Sequence, residues 1–231
     1  NQYRSLIGGL YRAGYDQIKV QFQDARVLPI LQEVIDSLYG FEVLEVGKNS
    51  CIIHSIYHEE KPEVESHIQK MSNIIGTMQI IILEDTKTGK FKSESQLTQF
   101  RNNILKQRDL IARVIVQQKL SDNQHFPYYL LSFNLWNIAR NYYDLYLALE
   151  KKPISNKQTQ LLQKTNQLVY LFLHSIKDFE HAAIDKQYRK VAAEIRQDLI
   201  ESEKNSLVTA YCLNIIMITQ SSISPALQLR F

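Results

Sequence analysis

Val64–Ile82 reads VESHIQKMSNIIGTMQIII, and its spacing decides the fold. Val64, Ile68, Met71, Ile75, Met78 and Ile82 recur at intervals of four and three, the a/d seam of a helix with one buried edge. Gly89 closes this segment, and the same period returns downstream. Ser93–Leu120 carries Leu97, Ile104, Ile111, Val114 and Ile115 as its inner face, and Ser121-Asp122-Asn123 breaks the pattern. Pro127–Glu150 repeats the seam through Leu131, Leu135, Ile138, Tyr142, Leu145 and Leu149. Ser155 opens a fourth helix through Leu161, Thr165, Leu168, Phe172, Ile176 and Phe179. After a break near Asp185, Val191–Lys204 (VAAEIRQDLIESEK) gives a fifth, with Val191, Ile195 and Leu199 on one face. Leu207–Ser222 gives a sixth, stopped by Pro225. Long helices on short connections pack antiparallel to their neighbours. Three plus three is the simplest grouping, divided at Lys151-Lys152-Pro153.

Upstream the period changes. Tyr3–Ala13 is helical and ends at Gly14, whereas Gln17–Gln23 alternates strictly, with Ile18, Val20 and Phe22 on one face. Val27–Tyr39 is helical again. Phe41–Val46 and Ser50–Tyr57 flank the turn signal Gly47-Lys48-Asn49-Ser50 and read as a hairpin. The expectation is a mainly α protein: a small α+β domain at 1–60, a three-helix bundle at 61–152 and a second at 153–231.

Composition agrees with long, uninterrupted elements. Among 231 residues there are only 7 Gly and 5 Pro, against 45% hydrophobic and 22% charged residues. A net charge of +3 argues against a broad phosphate-binding surface. Cys51 and Cys212 read as buried structural thiols, which suits a reducing cytoplasm. No signal peptide is evident, and no apolar run approaches the ~20 residues that span a bilayer. No membrane insertion is expected. The chain opens at Asn1 in helical character, so a preceding segment is expected.

One place holds two acids at chemically useful spacing. Glu194 and Asp198 are four apart on the fifth helix, stacked one above the other beside its apolar face. An internal echo adds a third acid, since Gln107–Val114 (QRDLIARV) and Arg196–Glu203 (RQDLIESE) both centre on Asp-Leu-Ile, at Asp109 and Asp198. A hard divalent cation wants several carboxylate oxygens converging, which one pair does not supply.

A resemblance follows from these residues. Tyr11–Ile18 (YRAGYDQI), Leu38–Glu45 (LYGFEVLE) and the tandem three-helix order are similar to the archaeal PhoU-domain proteins, relatives of the phosphate-uptake regulator. The resemblance implies six long antiparallel helices in two bundles, usually preceded by a SpoVT/AbrB-type DNA-binding domain. It also implies clusters of iron, zinc or another divalent cation, held by a Glu/Asp-xxx-Asp motif and an acidic run on the following helix. Here Glu194, Asp198 and Asp109 match. Leu105 stands four before Asp109, the third helix reads Trp136-Asn137-Ile138-Ala139-Arg140-Asn141, and Ile216–Ser221 holds no carboxylate. Both clusters are expected to be lost or weakened, so the expectation is no cofactor, with a degenerate divalent-metal site as the alternative.

No nucleophile elbow, P-loop, dinucleotide glycine run or zinc-protease signature appears, and an enzyme is not expected. His54 and His58 have helical spacing at a strand end, and His125, His174 and His181 are scattered; none reads as a ligand or triad member. The expected function is that of a cytoplasmic regulator of phosphate uptake or transcription. It would be homo-oligomeric, contacting a transporter or sensor kinase through its helices and DNA only through the preceding domain. The alternative is a dimerisation scaffold for a DNA-binding protein. Tyr128, Tyr129, Tyr142, Tyr143 and Tyr146 could form a partner surface, but packing in the core is the reading favoured.

Overall fold

The computed structural model describes residues 2–56, 63–151, 154–178, 186–195 and 206–229. The chain is mainly helical, with one small antiparallel sheet near its N-terminus. Helix α1 (Gln2–Arg12) leads through Gly14, whose φ of +84° is cheap only for glycine, into strand β1 (Gln17–Gln21). A single turn at Ala25–Val27, capped by Asp24, precedes α2 (Leu28–Asp36), with Pro29 in its first turn. Strands β2 (Phe41–Val46) and β3 (Ser50–Ser55) complete a sheet in the order β1-β3-β2. Ile18 pairs Ile53 across one ladder and Val43 pairs Ile53 across the other, which puts their apolar faces together. A register shift between Val43 and Glu45 turns Leu44 outward. The α+β unit closes over its own core, from Ile7 and Tyr11 through Leu31 and Ile35 to Cys51 and Ile53.

Six helices follow: α3 (Val64–Thr88), α4 (Glu94–Gln118), α5 (Asp122–Lys151), α6 (Asn156–Asp178), α7 (186–195) and α8 (Leu207–Gln228). The whole Val64–Ile82 seam is buried, as are the expected inner faces of α4 and α5. Gly89, at φ +65°, ends α3 as expected. Helix α5 packs against α3, α4 and α8, and α6 packs against α3 and α8. Residues on both sides of the 151–153 division contribute to one continuous core. Phe179 and Leu199 of the expected seams, the break near Asp185 and the turn at Lys152-Pro153 lie outside the described residues.

Two prolines behave differently from expectation. Helix α5 begins at Asp122, not Pro127, and α8 runs through Pro225 to Gln228 rather than stopping there. A proline inside a helix removes one backbone hydrogen bond. At Pro225 the packing of Ala226 into the core holds the last turn in place. As a result α8 is long and apolar enough to cross a membrane by length and composition, contrary to the shorter run read from sequence. Its inner side, with Cys212, Ile215 and Ile216, belongs to the shared core.

Candidate functional site

The expected acidic positions are dispersed in their roles. Asp109 lies on α4 and is 6% exposed. Its Oδ1 accepts from Arg108 Nη2 at 2.5 Å and from Arg12 Nη1 at 3.3 Å. Two guanidiniums already neutralise this oxygen, so a divalent cation would have to displace them. Glu194 is exposed on α7, and Asp198 lies outside the described residues. Among the described residues no three of His, Cys, Asp and Glu cluster closely enough to hold a metal ion. The run Trp136–Asn141 on α5, where the resemblance leads one to expect acids, holds an arginine–aromatic group. Arg108 and Arg140 lie 4.6 Å and 6.0 Å from the Trp136 ring, and Arg140 reaches Asp144 at 3.8 Å.

The densest polar junction joins the α+β unit to α4, and sequence reasoning did not single it out. Arg113 is 3% exposed and sits 5.0 Å from the centroids of both Tyr11 and Phe41, which themselves pack edge-to-face at 4.9 Å. It donates to Tyr11 O at 3.1 Å, Tyr15 O at 2.8 Å and Asp16 Oδ1 at 2.5 Å. Gln117 adds a hydrogen bond to Asp16 at 3.0 Å, and Lys106 Nζ donates to Asp36 O at the C-terminal end of α2. Burial lowers the pKa of the Arg113 guanidinium, while Tyr11 and Asp16 act against that shift. The available signal was Arg113 itself, an arginine on a stretch of α4 that is otherwise apolar on all sides.

A second polar group lies inside the helical core. Gln79 Nε2 donates to Tyr142 Oη at 2.8 Å and to Asn166 O at 3.1 Å, and Tyr142 Oη donates to Asn166 Oδ1 at 2.8 Å. This chain ties α3, α5 and α6 together at one level. Burial pushes the Tyr142 phenol far above its ordinary range. Cys212 of α8 is also fully buried, its thiol pushed up to about 12 by desolvation against a hydrogen bond from Thr165. Between α3 and α4, His67 Nδ1 donates to Gln107 Oε1 at 2.6 Å, and desolvation lowers the imidazole pKa. The Gln79–Tyr142–Asn166 and His67–Gln107 hydrogen bonds each cross-link helices.

The tyrosines divide as the core reading expects. Tyr128, Tyr142, Tyr143 and Tyr146 are buried, and Tyr129 is exposed. Tyr146 Oη donates to Asp85 and accepts from the Ser93 amide, tying the α3–α4 connection to α5. Of the histidines, His125 is exposed, His54 and His174 are half-buried, and His58 and His181 lie outside the described residues. A shallow groove of about 940 Å³ opens beside β1, lined by Lys19, Arg26 and Asn49. A small apolar cavity of about 120 Å³ lies where α3, α5, α6 and α8 meet, against Ile68, Tyr128, Leu131 and Ile176. Comparison with protein-family models finds no match, and comparison with curated proteins finds none.

Proposed function

We propose that this chain is a non-enzymatic, PhoU-like regulator of phosphate uptake or transcription, acting in the cytoplasm through protein contacts of its helices. In this reading the helices form tandem three-helix bundles, and DNA contact belongs to a preceding domain of the kind the resembled proteins carry. The partner is a transporter's cytoplasmic face or a sensor kinase. The observation that carries the reading is the Arg113 junction. It fastens the YRAGYD segment, one of the stretches on which the resemblance rests, to the Asp-Leu-Ile stretch of α4. A binding event on the helices then has a fixed polar route to the α+β unit. Gln79, Tyr142 and Asn166 are engaged with one another across three helices, which favours a binding scaffold over a catalyst.

The test is phosphate-responsive transcription in cells carrying the intact gene, its deletion, or Arg113→Ala. The regulator reading expects deregulation on deletion and partial deregulation with Arg113→Ala. Unchanged transcription, together with no DNA binding by the intact product, would overturn it. A second reading, a dimerisation scaffold, is favoured by the outward side of α8, which carries no charged residue. Retention of a degenerate divalent-metal site would show as stoichiometric metal lost in Glu194→Ala and Asp198→Ala.

A further inference from the structure

The sheet runs in the order β1-β3-β2, so β1 and β2 are its two edges, and the edges differ. Along β2 the register shifts between Val43 and Glu45, and Glu42 and Glu45 are exposed. A bulge and charges of this kind blunt an edge against further pairing. Strand β1 pairs β3 in unbroken register from Gln17 to Gln21, and it contains no proline, glycine or acid. Two hydrogen bonds show which of its backbone groups stay open. The Phe22 amide donates to Asn49 O, and Asp16 O accepts from the Ser55 amide, so Asp16 and Phe22 point toward β3. Alternate residues of an antiparallel strand point to opposite sides. Gln17, Lys19 and Gln21 therefore turn their N–H and C=O groups away from β3, to a side where no described strand lies. The groove of about 940 Å³ opens beside this edge. Toward the core its lining is apolar: Tyr3 and Val27 pack against the α+β core, and Ile30 is 39% exposed. Toward solvent it presents Lys19 and Gln21. Asp24, the one acid in the lining, is held by Arg26 at 2.5 Å, so the Lys19 charge is the one the lining does not balance.

We infer that the β1 edge is a docking site for an extended acidic segment of a partner protein, which adds to the sheet as a fourth strand. Strand addition draws affinity from main-chain hydrogen bonds and selectivity from alternate side chains. The three outward residues offer three donors and three acceptors along roughly 17 Å of strand. An incoming strand alternates as β1 does. One set of its side chains lies over Tyr3, Val27 and Ile30 and is apolar; the other lies beside Lys19 and Gln21 and is acidic. An edge lysine ordinarily discourages pairing. Here its side chain rises from the face of the sheet while its N–H stays in the sheet plane. It repels a basic strand and attracts an acidic one, and it leaves the edge itself open. The β2 edge of a second copy is a poor occupant, because its register shift after Val43 interrupts the ladder. The inference does not rest on the regulatory reading.

The experiment is amide hydrogen exchange of the full chain, read residue by residue, with a blocked heptapeptide alternating Glu and Val. Without peptide, Ile18 and Val20 should exchange slowly, and Lys19 and Gln21 quickly. Millimolar peptide should slow Lys19 and Gln21 by at least ~10-fold. The same peptide N-methylated at one alternate set of amides should lose this effect, and at the other set should keep it, because only one set faces β1. Lys19→Gln keeps the backbone and should weaken binding by about tenfold. Lys19→Pro removes an outward N–H that the β1–β3 ladder does not use, and should abolish binding without unpairing the sheet. The proposal fails if Lys19 and Gln21 exchange equally with and without peptide, or if both methylated peptides act alike. It fails too if a heptapeptide alternating Lys and Val binds as tightly. A chain whose mass grows with concentration, and which Lys19→Pro returns to the monomer, would give the edge to a second copy and overturn the proposal.

Discussion

The α+β unit and the helical array each bury one cysteine, and the surroundings of Cys51 and Cys212 differ in kind. Cys51 sits among Ile18, Leu31, Val34 and Ile53, in a unit whose only buried polar side chain among the described residues is Ser55. Cys212 sits in a core that also buries Gln79, Thr165 and Asn166. A sheet fixes its register through ladder hydrogen bonds and strict alternation, so an apolar filling is enough. Helices can slide by a turn while keeping apolar contact, and buried hydrogen bonds such as Gln79–Tyr142–Asn166 penalise the slipped arrangements. Where the two regions meet, the contact is mainly polar: Arg113, Asp16, Gln117 and Lys106 carry it, and the two apolar cores stay separate. The seam between the regions can therefore be broken without emptying either core.

The largest effect is expected at that seam. Arg113→Ala removes three hydrogen bonds and the cation between two aromatic rings, while the Asp16 carboxylate it leaves is largely exposed to water. The cost should be about 3 kcal/mol. Denaturant unfolding followed by alkylation of the two thiols would locate it: Cys51 should become reactive well before Cys212. Simultaneous labelling at an unchanged midpoint would show that the seam does not couple the regions.

The second effect belongs to the array alone. Tyr142→Phe strips one acceptor from Gln79 and leaves Asn166 Oδ1 without its donor, in a place where water is excluded. A loss of about 2 kcal/mol is expected, with Cys212 exposed earlier and Cys51 unaffected. Because the Cys212 thiol is held at about 12, native-state labelling near pH 8 should be very slow and should report opening rather than surface reaction. If the variant unfolds at the wild-type midpoint, the network does not set the register.

Sequence periodicity made the helices legible because burial repeats at every turn, so each seam was read from many residues at once. The hairpin was legible for the same reason, with alternation on both sides of Gly47. What stayed hidden depends on a single residue meeting a distant one. Nothing around Arg113 shows that Tyr11 and Phe41 will enclose it, because the encounter joins segments about a hundred residues apart. The acidic echo is hidden in the same way: Asp109 has the right residue type, but Arg108 and Arg12 occupy its oxygen. Pro225 taken locally marks a stop, but α8 continues through it with Ala226 packed in the core.

A smaller test of the seam uses backbone rather than charge. Gly14 holds φ +84° where α1 turns toward β1, and a Cβ there would meet Gln117 Cγ at 3.3 Å and Val116 Cγ1 at 3.4 Å. Gly14→Ala should cost about 1 kcal/mol and advance Cys51 labelling in the same direction as Arg113→Ala, by less. Gly76, on α3, meets no neighbour within 4 Å. Gly76→Ala should stabilise the array slightly by raising helix propensity, and Cys51 should not respond.

The last effect separates the regions by pH. His67 is buried between α3 and α4, and desolvation lowers its pKa, with Lys70 acting in the same direction and the Gln107 hydrogen bond opposing both. The folded array therefore holds the neutral ring, while the unfolded chain takes up a proton near pH 6.5. Stability from this group is complete above that value and falls as the pH drops through it toward the folded pKa, because the unfolded state then binds more protons. The slope can reach at most ~1.4 kcal/mol per pH unit for one histidine. It should appear in the unfolding midpoint read at Cys212 between about pH 6.5 and 5, above the range where most carboxylates titrate. His67→Gln removes the titrating group and should flatten the slope in that window. A slope that persists in His67→Gln, or that appears equally at Cys51, would place the proton uptake elsewhere and leave His67 a helix cross-link without pH dependence.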